Sequence, residues 1–249
     1  MNITGTVGLI VLIVAAILLL AFTAWRKRTP ASLRRIEAFE RLNREVGLAV
    51  EKGTRLHISL GRGNLFTARG GSSLAGLAML RRIAERASVS DRPPIVSSGD
   101  ASLTILSQDT SQSGYRAAGA DEIFRATSGR LTGLSPFAYA AGTLPIARDE
   151  NVSAHVLIGD LGAESALIAE GADRQNASLV AASDSLSAQA ILYAAAQDPL
   201  IGEELYAAGA YTGAGASHEA SLNVQDILRW LVIVVILIGA ALTLLGLGF

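Results

Sequence analysis

The sequence predicts an α/β protein: a Rossmann-like three-layer domain with a mainly parallel sheet, flanked by two transmembrane helices. Three observations predict it. An uncharged apolar run stands near each end of the 249 residues. Between them, short strand-like runs alternate with stretches of helical spacing. Several of the strand-like runs, such as Val156-Leu157-Ile158, are continuously apolar, as strands covered on both faces are.

The first apolar run, VGLIVLIVAAILLLAFTAW at 7–25, has no charge in 19 residues. The second, at 230–249 within a span of 227–249, has none in 20. About 20 apolar residues at a rise of about 1.5 Å each cross a hydrocarbon core of about 30 Å. Trp25 and Trp230 stand where each run meets polar sequence, as interfacial anchors do. A cleavable signal peptide carries its positive charge before the apolar run. Here MNITGT precedes it and Arg26-Lys27-Arg28 follows, so the first run is expected to remain as an anchor.

Residues 26–54 form a basic juxtamembrane segment. Residues 26–55 carry nine Lys or Arg against four Glu, a balance of +5, which leaves −6 for the remainder of a chain whose total is −1. Positive charge on the inner side of a membrane then predicts a two-pass protein of the inner (plasma) membrane, with a cytoplasmic middle and both termini outside. Arg26, Lys27, Arg28, Arg34 and Arg35 are the candidates for contact with anionic lipid head groups. Aromatic residues are few and the basic ones cluster at the membrane end, so no nucleic-acid partner is expected. After Thr29-Pro30, a cap and first helical residue by type, Leu33, Ile36, Phe39, Leu42, Val46 and Val50 recur at helical spacing. They predict an amphipathic helix over 31–51, which either lies on the membrane or packs its stripe on the following domain; packing is the expectation.

Residues 55–211 form the α/β domain. Strands are expected at 55–60, 93–97, 122–126, 152–159 and 177–182, and helices at 72–88, 100–118, 136–148, 163–174 and 185–197. Ser72/Ser73, Asp100, Ser135 before Pro136 and Ser183-Asp184-Ser185 are the helix-start signals. Asp198-Pro199 is expected to open a last helix, LIGEELYAAGAY. A flexible linker of small residues follows at 212–226, before the second anchor.

The run SLGRGNLFTARGGSS, 59–73, follows the first strand and is the first candidate site. It lacks the Lys that a Walker A loop needs to neutralise phosphates. It matches the dinucleotide fingerprint at Gly61 and Gly63 but has Phe66 where the third glycine belongs. Two readings stay open. Gly61, Gly63, Gly70, Gly71, Ser72 and Ser73 can cradle an anion or nucleotide at a helix N-terminus, with charge from Arg62 and Arg69, or they form a structural or partner-facing turn. Asp100 reads as a ribose contact or an ordinary N-cap. Asp160 and Glu164 read as an acid–base or Mg²⁺ pair or as helix-end carboxylates. His57 and His155 fall on strands and are expected to be buried with hydrogen-bond partners, while His218 falls in the linker. There are no cysteines, no His-Glu-x-x-His and no Gly-x-Ser-x-Gly, so thiolate, zinc-protease and serine-elbow chemistry are excluded by type. No catalytic residue, metal or cofactor is expected.

LRRIEAF (33–39), AVEKG (49–53), HISLGRG (57–63), PPIV (93–96), FAYAAG (137–142) and DPLIGEELYAAGAY (198–211) resemble a family of membrane-anchored bacterial proteins from Chloroflexota and similar genomes, a domain of unknown function. The resemblance covers about 33–211 and implies no activity or site residue. The chain departs from that pattern at Pro145, which interrupts a helix, and at Phe66 and the arginines of the glycine loop. The function expected is that of a structural or assembly subunit, a homo-oligomer or part of a membrane complex; the alternative is a sensor that binds an anion or nucleotide at 61–73.

Overall fold

The computed structural model describes residues 3–29, 31–67 and 70–245. It divides into two units, one of residues 1–33 with 215–249 and one of residues 34–214.

In the first unit, α1 (Ile3–Arg26) and α9 (Ala216–Leu244) pair as antiparallel helices. The Arg26 guanidinium donates to Asn223 Oδ1 at 3.1 Å, and the Ala31 N–H donates to Glu219 Oε2 at 2.8 Å. These bonds hold the last turn of α1 beside the first turns of α9. Both helices are long and apolar enough to cross a membrane, and their apolar stretches are exposed along their length. The linker expected at 212–226 is shorter than its composition suggested. Only Gly213 and Gly215 take positive φ, and from Ala216 the chain, His218 included, is already helix.

The second unit is a six-stranded, all-parallel sheet between two helical layers. Its elements are α2 (Glu37–Lys52), β1 (Arg55–Gly61), α3 (Gly70–Ala87), β2 (Ile95–Ser98), α4 (Ala101–Ala117), β3 (Gly129–Leu131), α5 (Pro136–Asp149), β4 (Val152–Asp160), α6 (Ser165–Asp173), β5 (Ser178–Ser183), α7 (Leu186–Ala195), β6 (Asp198–Leu200) and α8 (Ala208–Tyr211). The strand order is β3-β2-β1-β4-β5-β6, the doubly wound order of Rossmann folds. Helices α2, α3, α4 and α8 cover one face, and α5, α6 and α7 the other.

Side-chain alternation divides the core. Leu56, Ile58 and Leu60 of β1 and Ala154, Val156 and Ile158 of β4 meet Leu42, Leu80 and Ile83 on the first face. Leu157, Leu179 and Ala181 meet Ile168 and Leu192 on the second.

Four expectations are corrected. The amphipathic helix starts at Glu37, not Ala31; its proposed first residue, Pro30, lies outside the described residues. It belongs to the α/β unit, where Ala38, Phe39, Leu42, Val46 and Ala49 are buried and the Phe39 ring stacks on Tyr211 at 4.7 Å. The third strand is at 129–131; residues 121–123 and 126–128 are 3-10 turns, and Phe124 packs on Tyr115 instead of entering the sheet. Asp198-Pro199 opens the edge strand β6 and not a helix; Pro lacks the N–H that a central strand would use. Pro145 does not interrupt α5, which runs through it to Asp149.

Candidate functional site

The strand order reverses between β1 and β4, and open sheets of this kind hold ligands beyond the carboxyl ends of strands at such a point. Here the glycine loop leaves β1, and Asp160-Leu161-Gly162-Ala163-Glu164 leaves β4. The structure therefore brings together Gly61, Arg62, Gly63, Ser73, Asp160 and Glu164.

Packing at this point is tight. A Cβ on Gly61 would lie 2.3 Å from the Asp160 carbonyl oxygen, and one on Gly63 would lie 2.5 Å from Ser73 Oγ and 2.8 Å from Asp160 Cβ. Gly61 also takes φ +73°, so two separate constraints select glycine there. The Arg62 N–H donates to the Asp160 carbonyl at 2.9 Å and Gly99 N–H to the Gly61 carbonyl at 2.9 Å, which extends backbone pairing past the strand ends.

The Arg62 side chain crosses Gly99 and its Nε meets Glu164 Oε1 at 2.9 Å. The Glu164 side chain is 3% exposed and also accepts the Gly162 N–H at 3.0 Å. Burial pushes its carboxyl up, but Arg62 and the N–H groups of Glu164 and Gly162 outweigh burial and hold it below its ordinary value. Asp160 and Glu164 are thus not two equivalent carboxylates; Glu164 is one half of a buried ion pair.

Other site candidates hold structural positions. Helix α3 begins at Gly70, so Ser72 and Ser73 lie inside its first turn, both fully buried, and do not cap it. Ser73 Oγ donates to the Gly63 carbonyl at 3.3 Å. Gly71 lies against the Tyr206 ring. Asp100 is the N-cap of α4, accepting from the Leu103 N–H at 3.0 Å and from the Ser102 hydroxyl. Arg69 lies outside the described residues. Of the basic membrane candidates, Arg26 bonds Asn223, Arg34 pairs with Glu204 and Arg35 with Glu40 at 2.6 Å.

Beneath the switch point runs a polar seam that the sequence reading missed except for its histidines. His57 and His155 sit opposite each other on β1 and β4, both buried, with Nδ1 to Nδ1 at 2.9 Å. His57 Nε2 meets Ser97 Oγ at 2.8 Å. The Tyr139 hydroxyl meets Ser59 Oγ at 2.5 Å and accepts the Gly61 N–H at 3.2 Å. Burial holds both imidazoles below the ordinary histidine range, and raises the Tyr139 phenol against the opposing pull of Ser59, Ser97 and Gly61. The signal available in the sequence was the alternation of β1 itself, with His57 and Ser59 interleaved between Leu56, Ile58 and Leu60.

A separate groove of about 550 Å³ lies between α5 and α6, lined by Leu144, Pro145, Leu167 and Gly171 with Arg148, Asp149, Glu170 and Arg174 at its sides. Arg174 and Glu170 pair with each other at 2.8 Å. Among the described residues no three His, Asp or Glu stand together as metal ligands would.

The comparisons with known proteins agree with a family reading and stop there. No curated protein and no solved structure matches the chain. The model of one family, described as Domain of unknown function (DUF6754), matches residues 2–248. The doubly wound unit and its two long apolar helices thus both fall within that match, and the chain belongs to this domain-of-unknown-function family.

Proposed function

We propose that this chain is a membrane-anchored assembly module whose α/β unit associates with a second copy through the carboxyl edge of its sheet. One observation carries the reading. The connections and helix starts that follow the strand ends bear large apolar side chains turned to solvent: Phe66 after β1 (90% exposed), Leu134 and Phe137 after β3 (71% and 74%) and Leu186 after β5 (82%). At the edge where related architectures hold a cofactor, Arg62, Glu164, Gly63 and Ser73 pack on the chain's own groups. Anchors that confine copies to one plane raise their effective concentration.

In this reading α1 and α9 cross the inner membrane, the α/β unit is cytoplasmic and both termini lie outside. The excess of Lys and Arg at 26–55 supports that orientation. Lys27 and Arg28, with Arg26, Arg34 and Arg35, face anionic head groups. The test of association is the mass of the full chain in lipid nanodiscs. A multimer that the double change Phe66→Ser with Phe137→Ser converts to a monomer supports it; a monomeric wild type removes it.

A second reading rests on the strand order together with the N-terminus of α3 at the switch point: a sensor holding an anion or nucleotide at Gly61, Arg62, Gly63 and Gly70–Ser73, near Asp100 and Asp160. A ligand at 100 times its Kd adds about 2.7 kcal/mol of stability. Thermal-shift measurements with adenine and guanine nucleotides and with dinucleotides check it, and no shift with any of them retires it.

A further inference from the structure

The two edges of the sheet differ. At one, β6 contains Pro199, Asp198 pairs with Arg41, and α2 packs on the strand. Such devices keep an edge from pairing with another chain. At the other, β3 has no proline, and Leu131 is 46% exposed. The register Val96 with Gly129, Ser97 with Arg130 and Ser98 with Leu131 continues in the Thr132 N–H, which donates to the Ser98 carbonyl at 3.0 Å. It assigns the backbone groups of Arg130 and the Thr132 N–H to β2, so Gly129 and Leu131 turn their N–H and C=O outward. Gln108 Nε2 donates to the Gly129 carbonyl at 3.0 Å, while the Leu131 N–H and C=O have no partner among the described residues.

The helix over this edge is apolar on the matching side. On α4, Gly114 packs against α3, where a Cβ would lie 2.6 Å from the Arg81 carbonyl oxygen. Thr104 and Gln108 reach down to Ser98 and Gly129. Ile105 stands about 180° around the helix from Gly114, so it points away from α3 and past the open edge. It is 66% exposed. A Cβ on Gly129 would meet Gln108 and Ser107, so Leu131, two residues on, lies on the same α4 side of the sheet.

We propose that the β3 edge docks a second copy of this chain, with the two β3 strands antiparallel about a two-fold axis that passes Leu131 perpendicular to the sheet. In that register the Leu131 residues exchange both N–H···O=C bonds, and Arg130 lies opposite Thr132, so the two arginines do not meet. Each Arg130 stays on the other face with Glu150. Helix α4 packs on both β2 and β3. Strands about 4.8 Å apart then place the two α4 helices about 10 Å apart, an ordinary helix-packing distance, with Ile105 facing Ile105.

Two observations select a second copy as the occupant. Three residues suffice for a symmetric pair centred on one of them and are short for an added peptide. Helices α2 and α8, by which the chain enters and leaves the α/β unit, cover the same face as α4. An axis perpendicular to the sheet keeps that face on one side in both copies, as copies anchored in one membrane require. The contact is separate from the carboxyl edge and does not rest on association there. With two backbone bonds and two apolar pairs it is the weaker contact, formed where copies are dense. A chain that makes both contacts continues from copy to copy as a row.

The chain has no cysteine, so single cysteines report this contact. In a hydrogen-bonded antiparallel pair the Cα atoms stand about 5.5 Å apart, within disulfide reach. The full chain is packed densely in liposomes of phosphatidylcholine and phosphatidylglycerol and oxidised with copper phenanthroline. Leu131→Cys should cross-link about tenfold faster than Val89→Cys, which replaces a 78% exposed residue just past α3. Ile105→Cys should join through a short bismaleimide. Adding Leu131→Pro should slow that joining about tenfold, because proline removes the outward N–H and leaves the bonds to β2. Leu131→Cys no faster than Val89→Cys overturns the β3 contact, and a wild type that is still a multimer in nanodiscs then leaves the carboxyl-edge reading standing. A wild type that is monomeric in nanodiscs while Leu131→Cys cross-links fast in dense liposomes removes that reading and supports this one. If Leu131→Pro does not fold, Leu131→Cys decides alone.

Discussion

Arg62, one residue past β1, and Glu164, four residues past β4, join the two loops that leave the central strands, Nε to Oε1 at 2.9 Å. The carboxylate is almost fully buried and the guanidinium is about one quarter exposed. Removing one member of a buried pair leaves the other desolvated without its partner. We expect Glu164→Leu to destabilise the α/β unit by about 3 kcal/mol, and Arg62→Met by a similar amount. The double change should cost less than the two single losses added together, and heat-unfolding midpoints of all three variants give the coupling.

The pH dependence follows from the histidines. Burial holds His155 at about 4 and His57 well below its ordinary value of 6.5, with His155 and Arg130 adding to the effect at His57. Well above about 6.5 both rings are neutral folded and unfolded, and they contribute no pH dependence to stability. As pH falls from about 6.5 to about 4, the unfolded chain takes up protons that the native state refuses. Stability then falls by roughly 1.4 kcal/mol per pH unit for each histidine. Glu164 acts lower: its carboxyl is held below 4.5, so its contribution is lost only as pH drops beneath that value. Unfolding midpoints from pH 8 to 4 check this, and His155→Gln should flatten the slope between about 6.5 and 4.5.

Glycine at the switch point gives a third outcome. Gly61→Ala meets both a positive φ and the Asp160 carbonyl, whereas Gly53→Ala meets φ +63° with nothing within 4 Å. Gly53→Ala should therefore cost about 1 kcal/mol and Gly61→Ala several times more, since backbone must move to admit the methyl. Midpoints measured without any nucleotide separate this packing loss from loss of a ligand site. Equal midpoints for the two variants contradict the tight β1–β4 contact.

Strand β4 carries the run Val156-Leu157-Ile158, β1 alternates, β2 and β5 keep short apolar stretches, and the helices between them are set by their spacing, so all were legible within a few residues. The edge strands were not. Each has three residues, β6 contains Pro199, and β3 is preceded by Ile123-Phe124, whose apolar character serves a contact with Tyr115. Asp100, Asp160 and Glu164 could be placed at strand ends because helix starts announce themselves. Their distinction could not, because Arg62 reaches Glu164 across 102 positions of chain. The seam shared this difficulty: His57 and Ser59 showed a polar register on β1, but Tyr139 joins them from a helix 80 positions beyond Ser59.

The fourth prediction concerns α2, whose stripe the sequence allowed to lie either on a membrane or on the domain. Phe39 is 2% exposed and stacks on Tyr211, and Arg41 forms an ion pair with Asp198 of the edge strand β6. A helix resting on lipid would lose membrane affinity on Phe39→Ala and leave the fold intact. A helix that completes the core leaves a cavity, and Phe39→Ala should cost about 3–5 kcal/mol. By the same argument a fragment of residues 34–214 should fold in water without either anchor, while one starting at 54 should expose Leu56, Leu80 and Ile83 and aggregate. Circular dichroism and gel filtration of the two fragments decide it; a well-folded 54–214 fragment shows that α2 is not part of the core.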